Sequence, residues 1–221
     1  MALILNIETS SNSTSVALAE DGVLLKAMEE HNVVSHASKL TPFIEEVLKN
    51  AHKKTSDLNA IAISIGPGSY TGLRIGLSVA KGLCYALKIP IIAISSLDSL
   101  AVYLKNNHSK NNKLFVSVMN SRKNEIYATI LNNESEEKKG PDAVVLDNTF
   151  LAEYKNQNIV IGGTGLEKVK EVLLNENVEY IENVNFSALF MIKLTFNLYL
   201  ENKFEDLAYI EPKYLKPFIT T

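Results

Sequence analysis

Tryptophan is absent, cysteine occurs once and arginine only twice in these 221 residues. The single cysteine, Cys84, excludes a disulfide framework and any zinc cluster built on thiolates. No charged-then-apolar leader and no apolar run of about 18 residues occurs, so the sequence gives no signal for export or membrane insertion, and a cytoplasmic location is expected. A basic half is also missing. Residues 1–110 carry ten basic and nine acidic side chains and the rest twelve and sixteen, for a net charge of −3, which offers no electrostatic footprint for direct nucleic-acid binding. With 46% hydrophobic and 21% charged residues the chain is ordinary globular material, long enough for one large domain or two small lobes.

Apolar runs at 2–8 and 13–19 read as strands. The Asp21-Gly22 pair signals a hairpin into a third at 23–28. Leu40, Phe43, Ile44, Val47, Leu48 and Ala51 recur at the spacing of one helix face over 35–51. A buried strand at 61–65 stops at Gly66-Pro67-Gly68, a helix follows over 71–87, and Pro90 precedes a strand at 91–94. After a short helix near 97–104 the stretch 106–113 is wholly polar, which predicts a first lobe over 1–105 and a second over 106–221, with the C-terminal tail packing back on the first. The second lobe reads as strands at 114–119, 125–131 and 159–161, a charged turn at 134–140, and helices near 166–174 and 187–200. Strands alternating with helices, with hairpins at the front, give an α/β class of two architecturally related lobes.

Three segments could carry chemistry. Gly66, Gly68, Ser69 and Thr71 lie on a strand-to-helix loop that can aim backbone N–H groups at an anion, or equally form a tight turn with Ser69 or Thr71 as helix N-cap. No Gly-Lys-Ser/Thr follows, so it is no Walker A motif, and no acidic residue stands about 20 positions on as a dinucleotide site requires. Behind it, Gly72, Gly76, Ala80 and Cys84 recur every four residues and flatten one helix face. Each interior glycine costs about 1 kcal/mol against alanine and needs a packing reason, either the lobe's own sheet or another chain. Glu8, Thr9 and Ser10, at the end of the first strand, offer a carboxylate and hydroxyls, either as a phosphate site or as a solvated turn. Gly162 and Gly163 form a second strand-to-glycine step. Both arginines, Arg74 and Arg122, sit in these specialised regions, where a guanidinium would suit a carboxylate or phosphate partner. The four histidines show no metal-ligand spacing and are expected at the surface or at caps.

Ile7-Glu8-Thr9-Ser10, the run from Gly66 to Gly76, Ala80-Lys81-Gly82-Leu83, the segment from Asn120 to Tyr127 and Pro212-Lys213-Tyr214-Leu215-Lys216 together resemble the TsaB (YeaZ) family over nearly the whole chain. That family is the non-catalytic partner subunit of bacterial tRNA threonylcarbamoyladenosine synthase and a paralogue of the catalytic subunit TsaD. Glu8 and Asn120 stand where the family has Asp, and both changes weaken a case for metal binding. The resemblance implies a two-lobed actin-like ATPase (ASKHA, ribonuclease H-like) fold. It also implies a degenerate nucleotide or anion cleft at Glu8, Thr9, Ser10, Gly66, Gly68, Ser69, Thr71, Gly162 and Gly163, with no catalytic residue, metal or cofactor. TsaD carries His-x-x-x-His where Ser96 and Leu100 stand here, and a hydroxyl and an alkyl group cannot hold a metal between them.

The implied role is a scaffold that docks on TsaD, with the ATPase TsaE, for threonylcarbamoylation of the tRNA adenosine next to the anticodon. It would pair with itself when alone and meet tRNA only through the complex. The expected interface lies on Leu40, Ile44, Val47, Leu48, Gly72, Arg74, Gly76 and Ala80. The competing reading is an active small-molecule kinase or glycoprotease of the same fold.

Overall fold

The first strand has no exposed edge to its side-chain pattern: every residue of β1 (Leu3–Glu8) is buried, because helices cover both faces of its sheet. The computed structural model describes residues 1–32, 35–108, 113–132, 138–173 and 177–216. After β1 come β2 (Thr14–Glu20), β3 (Val23–Glu30), α1 (His36–Asn50), β4 (Ala60–Gly66), α2 (Tyr70–Leu87) and β5 (Ile91–Ser95). The sheet order is β3-β2-β1-β4-β5, antiparallel on the β2 side of β1 and parallel on the β4 side. The two-residue link Asp21-Gly22 has positive φ at both positions, the twist a tight hairpin requires, as the Asp-Gly pair predicted.

Strand alternation sorts the side chains of this sheet onto two buried faces. Leu5, Ile7, Val16, Leu18, Ile61 and Ile63 pack with Leu40, Ile44, Val47 and Leu48 of α1 and Leu77, Ala80 and Cys84 of α2. The opposite face has alanines at Ala17, Ala19, Ala60 and Ala62 in its middle strands, beside Ile4, Ile92 and Ile94, and takes Ala188, Met191 and Ile192. On that face Thr195 donates its hydroxyl to the Asn6 side-chain oxygen at 2.8 Å, which satisfies the one amide in the middle of β1.

The chain continues through α3 (Ser96–His108), β6 (Lys113–Asn120), β7 (Glu125–Asn132), β8 (Lys138–Val145), β9 (Asn158–Gly162), α4 (Leu166–Val172), β10 (Val178–Ile181) and α5 (Ile192–Leu200), the last entered through a 3-10 turn at Ala188–Met191. The second sheet, in the order β10-β9-β6-β7-β8, repeats the first: two antiparallel pairings on one side of β6 and two parallel ones on the other. Its core joins Leu114, Val116, Val118, Ile126 and Ile161 to Leu166 and Val169 of α4. No helix among the described residues is long and apolar enough to cross a membrane.

By Cα packing, one unit is Met1–Ser96 with Phe186–Tyr214 and the other is Leu97–Asn185 with Leu215 and Lys216. The division falls earlier than the polar stretch at 106–113, because Leu100 and Leu104 of α3 already pack on the second sheet at Gly163 and Gly162. Residues 109–112 of that stretch, 134–137 of the expected charged turn and 174 of the expected helix lie outside the described residues. Beyond 137 the expected turn is a strand, β8. Pro141 is tolerated there because β8 is an edge strand, and Gly140 (φ +96°) takes up the irregularity opposite Ala128 and Ile130.

Candidate functional site

The turn after β1 is closed on itself. Glu8 is fully buried, and its Oε1 accepts the Ser10 backbone N–H at 2.6 Å and the Ser64 hydroxyl at 2.7 Å. Burial pushes the Glu8 carboxyl above the ordinary carboxylate range, partly offset by the Ser10 and Ser64 donors. The other oxygen, Oε2, is buried as well, with the Ser10 and Ser96 hydroxyls beside the carboxyl. The solvated turn that the sequence allowed is therefore not what forms.

The glycine loop lies on this turn, and the Ser69 amide is used there. Ser69 N–H donates to the Ser10 carbonyl at 2.6 Å, and a Cβ on Gly68 would stand 2.2 Å from that same oxygen. Gly66 (φ +114°) passes the Lys213 carbonyl, where a Cβ would come within 2.9 Å. Ser69 Oγ accepts Gly72 N–H at 3.2 Å and the Ser69 carbonyl accepts Leu73 N–H at 2.9 Å, so Ser69 is the N-cap of α2, while Thr71 is exposed. The amides of Ser10, Ser69 and Gly72 thus point at partners within the chain.

The small-residue stripe of α2 is spent in the same way. A Cβ on Gly72 would meet the Thr9 carbonyl at 2.1 Å and one on Gly76 would meet Thr9 Oγ1 at 2.2 Å, while Thr9 Oγ1 donates to the Gly72 carbonyl at 2.9 Å. Ala80 and Cys84 are buried in the first core with Leu40, Ile44, Val47 and Leu48. Of the residues expected at an interface, Leu40, Ile44, Val47, Leu48, Gly72, Gly76 and Ala80 face the chain's own first core and the turn after β1. The Cys84 thiol is pushed up to about 11 by burial, which leaves it unreactive.

The outward face of α2 is different. Arg74, Ser78, Gly82 and Tyr85 are exposed, Tyr85 at 81%, and a Cβ on Gly82 would meet nothing. Within the described residues Arg74 contacts two tyrosines. Its guanidinium stacks over the Tyr70 ring at 4.1 Å and its Nε donates to the Tyr214 hydroxyl at 3.1 Å, with the two rings 4.9 Å apart. Arg122 sits exposed in the β6–β7 turn, where its carbonyl accepts Glu125 N–H at 2.7 Å.

In the second unit Gly162 and Gly163 have packing reasons. A Cβ on Gly163 (φ +127°) would fall 2.0 Å from the Val118 carbonyl and one on Gly162 would crowd Leu104. Leu100 is fully buried and reaches Gly163. Among the described residues no three His, Cys, Asp or Glu side chains are grouped to hold a metal ion.

Residues outside the sequence expectation also shape the site. Ser64, on β4, reaches Glu8 across 56 positions of sequence, and Tyr214 reaches Arg74 across 140. His36, expected at the surface or at a cap, is half-buried at the start of α1, with Nδ1 2.8 Å from Thr14 Oγ1. Burial lowers its pKa below the ordinary histidine range, partly offset by a hydrogen bond that the ring donates to the Ser11 backbone. A tyrosine directly after Pro212-Lys213 and a serine inside an apolar strand were the only signals available beforehand.

The sequence profile described as TsaD, tRNA N6-adenosine threonylcarbamoyltransferase, matches residues 28–216, most of the chain. The structure of YeaZ from Pseudomonas aeruginosa superposes with a TM-score of 0.82 at 25% identity, covering 97% of this chain and 100% of that one. The chain belongs to the TsaD family, in its TsaB (YeaZ) branch. The TsaB of Haemophilus influenzae is 27% identical over 98% of this chain and 94% of its own length. The TsaB of Buchnera aphidicola from Schizaphis graminum is 42% identical over 99 residues, 45% of this chain and about half (47%) of that relative. An inorganic polyphosphate/ATP-glucomannokinase from an Arthrobacter strain shares the fold at a TM-score of 0.50 and 9% identity, covering 90% of this chain and 100% of that one. With two five-stranded mixed sheets of one topology, the TsaB branch here has the actin-like ATPase fold.

Proposed function

We propose that this chain is a non-catalytic subunit of a tRNA threonylcarbamoyladenosine-forming complex in the cytoplasm. It binds a TsaD-like catalytic subunit, with a TsaE-like ATPase, and meets tRNA only through that assembly. The observation that carries the reading is Leu100, which stands at one of the two positions where the resemblance puts a metal-binding imidazole. It is fully buried against Gly163, so it serves packing rather than ligation. The Haemophilus and Buchnera relatives are named tRNA threonylcarbamoyladenosine biosynthesis protein TsaB, which supports the same pathway for this chain.

The partner surface is the outward face of α2 at Arg74, Ser78, Gly82 and Tyr85, since the opposite face is committed to the first core. A helix with an unobstructed glycine and an exposed tyrosine offers close approach and a rigid aromatic anchor together. The same face would serve a second copy when the catalytic subunit is absent.

The test is reconstitution with the TsaD-like and TsaE-like chains of the same organism. Modified adenosine is expected only when this chain is added, and this chain alone should produce none. Threonylcarbamoyl transfer by this chain alone, or stoichiometric zinc or iron in it, would overturn the reading.

A further inference from the structure

Among the described residues Glu8 is the only acidic side chain that is buried, and the manner of its burial is informative. Removing a carboxyl from water is costly unless hydrogen bonds replace the hydration. Two donors from different elements meet at one of its oxygens: the Ser10 N–H of the β1–β2 turn at 2.6 Å and the Ser64 hydroxyl of β4 at 2.7 Å. Ser10 is itself fixed from the other side, since its carbonyl accepts Ser69 N–H at 2.6 Å. Ser64 lies on a strand paired with both β1 and β5. Both donors are therefore anchored by backbone that does not depend on residue 8.

Convergent N–H and O–H groups on a fixed frame are how proteins hold a carboxylate or another oxyanion. The second carboxyl oxygen of Glu8 is buried beside the Ser10 and Ser96 hydroxyls, so the space around the carboxyl is polar. The Glu8 arm fills that space from within.

We infer that Ser10 N–H and Ser64 Oγ–H form a carboxylate-binding site in the first unit that Glu8 occupies as a built-in ligand, and that shortening this side chain opens the site to a small free carboxylate. The inference rests on the geometry of the first unit alone and does not depend on the partner reading. The turn is then a binding site closed by its own occupant, which denies the position to external anions in the wild-type chain.

Sodium acetate and sodium formate, titrated against sodium chloride at matched ionic strength, test this on the full chain. The Glu8→Ala protein should gain thermal stability saturably with acetate or formate, whereas wild type and Glu8→Gln, whose side-chain oxygen still accepts both donors, should not. At a hundred times the dissociation constant, the folding equilibrium of Glu8→Ala should shift about a hundredfold. Adding Ser64→Ala should abolish the response.

Equal responses in all variants, or a response to inorganic phosphate as large as to acetate, would overturn the assignment. Should Glu8→Ala not fold in chloride, the wild type still decides. Its Ser10 amide should be strongly protected from hydrogen exchange, and its proton shift should move when Glu8→Gln is introduced. A Ser10 amide that exchanges as freely as an exposed one refutes the inference.

Discussion

Thr9 and Gly72 meet so closely that neither can change alone: the Thr9 hydroxyl donates to the Gly72 carbonyl at 2.9 Å, and a Cβ on Gly72 would lie 2.1 Å from the Thr9 carbonyl. This contact fixes the β1–β2 turn on α2 and decides which surface of the helix is left for partners.

Gly76→Leu should act on stability. Its Cβ would stand 2.2 Å from Thr9 Oγ1 and 3.1 Å from Ile63, and overpacking typically costs about 1–3 kcal/mol or more. The midpoint of denaturant unfolding should fall by a corresponding amount, while whatever fraction folds should bind the TsaD-like partner as wild type does. A stable Gly76→Leu protein with specifically lost binding would return the stripe to the interface.

Tyr85→Asp should do the reverse. The ring is 81% exposed, so thermal stability should be nearly unchanged, whereas loss of an aromatic anchor and burial of a charge should cost about 1.4 kcal/mol or more, tenfold in affinity. Calorimetry showing wild-type affinity would remove α2 as the docking face.

Stability on the acid side should carry a contribution from His36. Its pKa is lowered in the fold, so the unfolded chain binds the proton more readily, and stability falls as pH drops below about 6.5 toward the depressed folded value. His36→Gln, which can still meet Thr14, should flatten that loss. Parallel pH curves for the two proteins would show that His36 is protonated alike in both states.

The clasp between Arg74 and Tyr214 should control access to the segment around residue 214. Arg74→Ala removes both the stacking cation and the donor to the Tyr214 hydroxyl. Limited proteolysis should then cut near residues 211–216 faster than in wild type, and Tyr214→Phe should give an intermediate rate. Equal cleavage in all three would show that the segment is held by Lys213 N–H on the Ile65 carbonyl (2.7 Å) instead.

Local patterns in the sequence announced the elements whose cause is local. The Asp21-Gly22 hairpin, the amphipathic α1 and the Ser69 cap all follow from neighbours in the chain. β8 escaped because Gly140 and Pro141 look like a turn until β7 supplies an edge to pair with, and β10 because four half-exposed residues carry little pattern. The stripe at Gly72, Gly76 and Ala80 was legible as a flat face, but periodicity says nothing about which backbone lies on it. The answer, Thr9, is 63 residues before Gly72. Ser64 under Glu8 and Tyr214 on Arg74 are pairings across strands and termini of the same kind, set by topology.

The alanine-lined face of the first sheet has a consequence for synthesis on the ribosome. Ala17, Ala19, Ala60 and Ala62 are translated early, but Ala188, Met191 and Ile192, which cover them, are translated more than a hundred residues later. Until α5 emerges, an otherwise complete sheet presents a bare apolar floor to solvent, a natural handle for a holdase chaperone, and a nascent chain arrested near Asn185 would remain in that state.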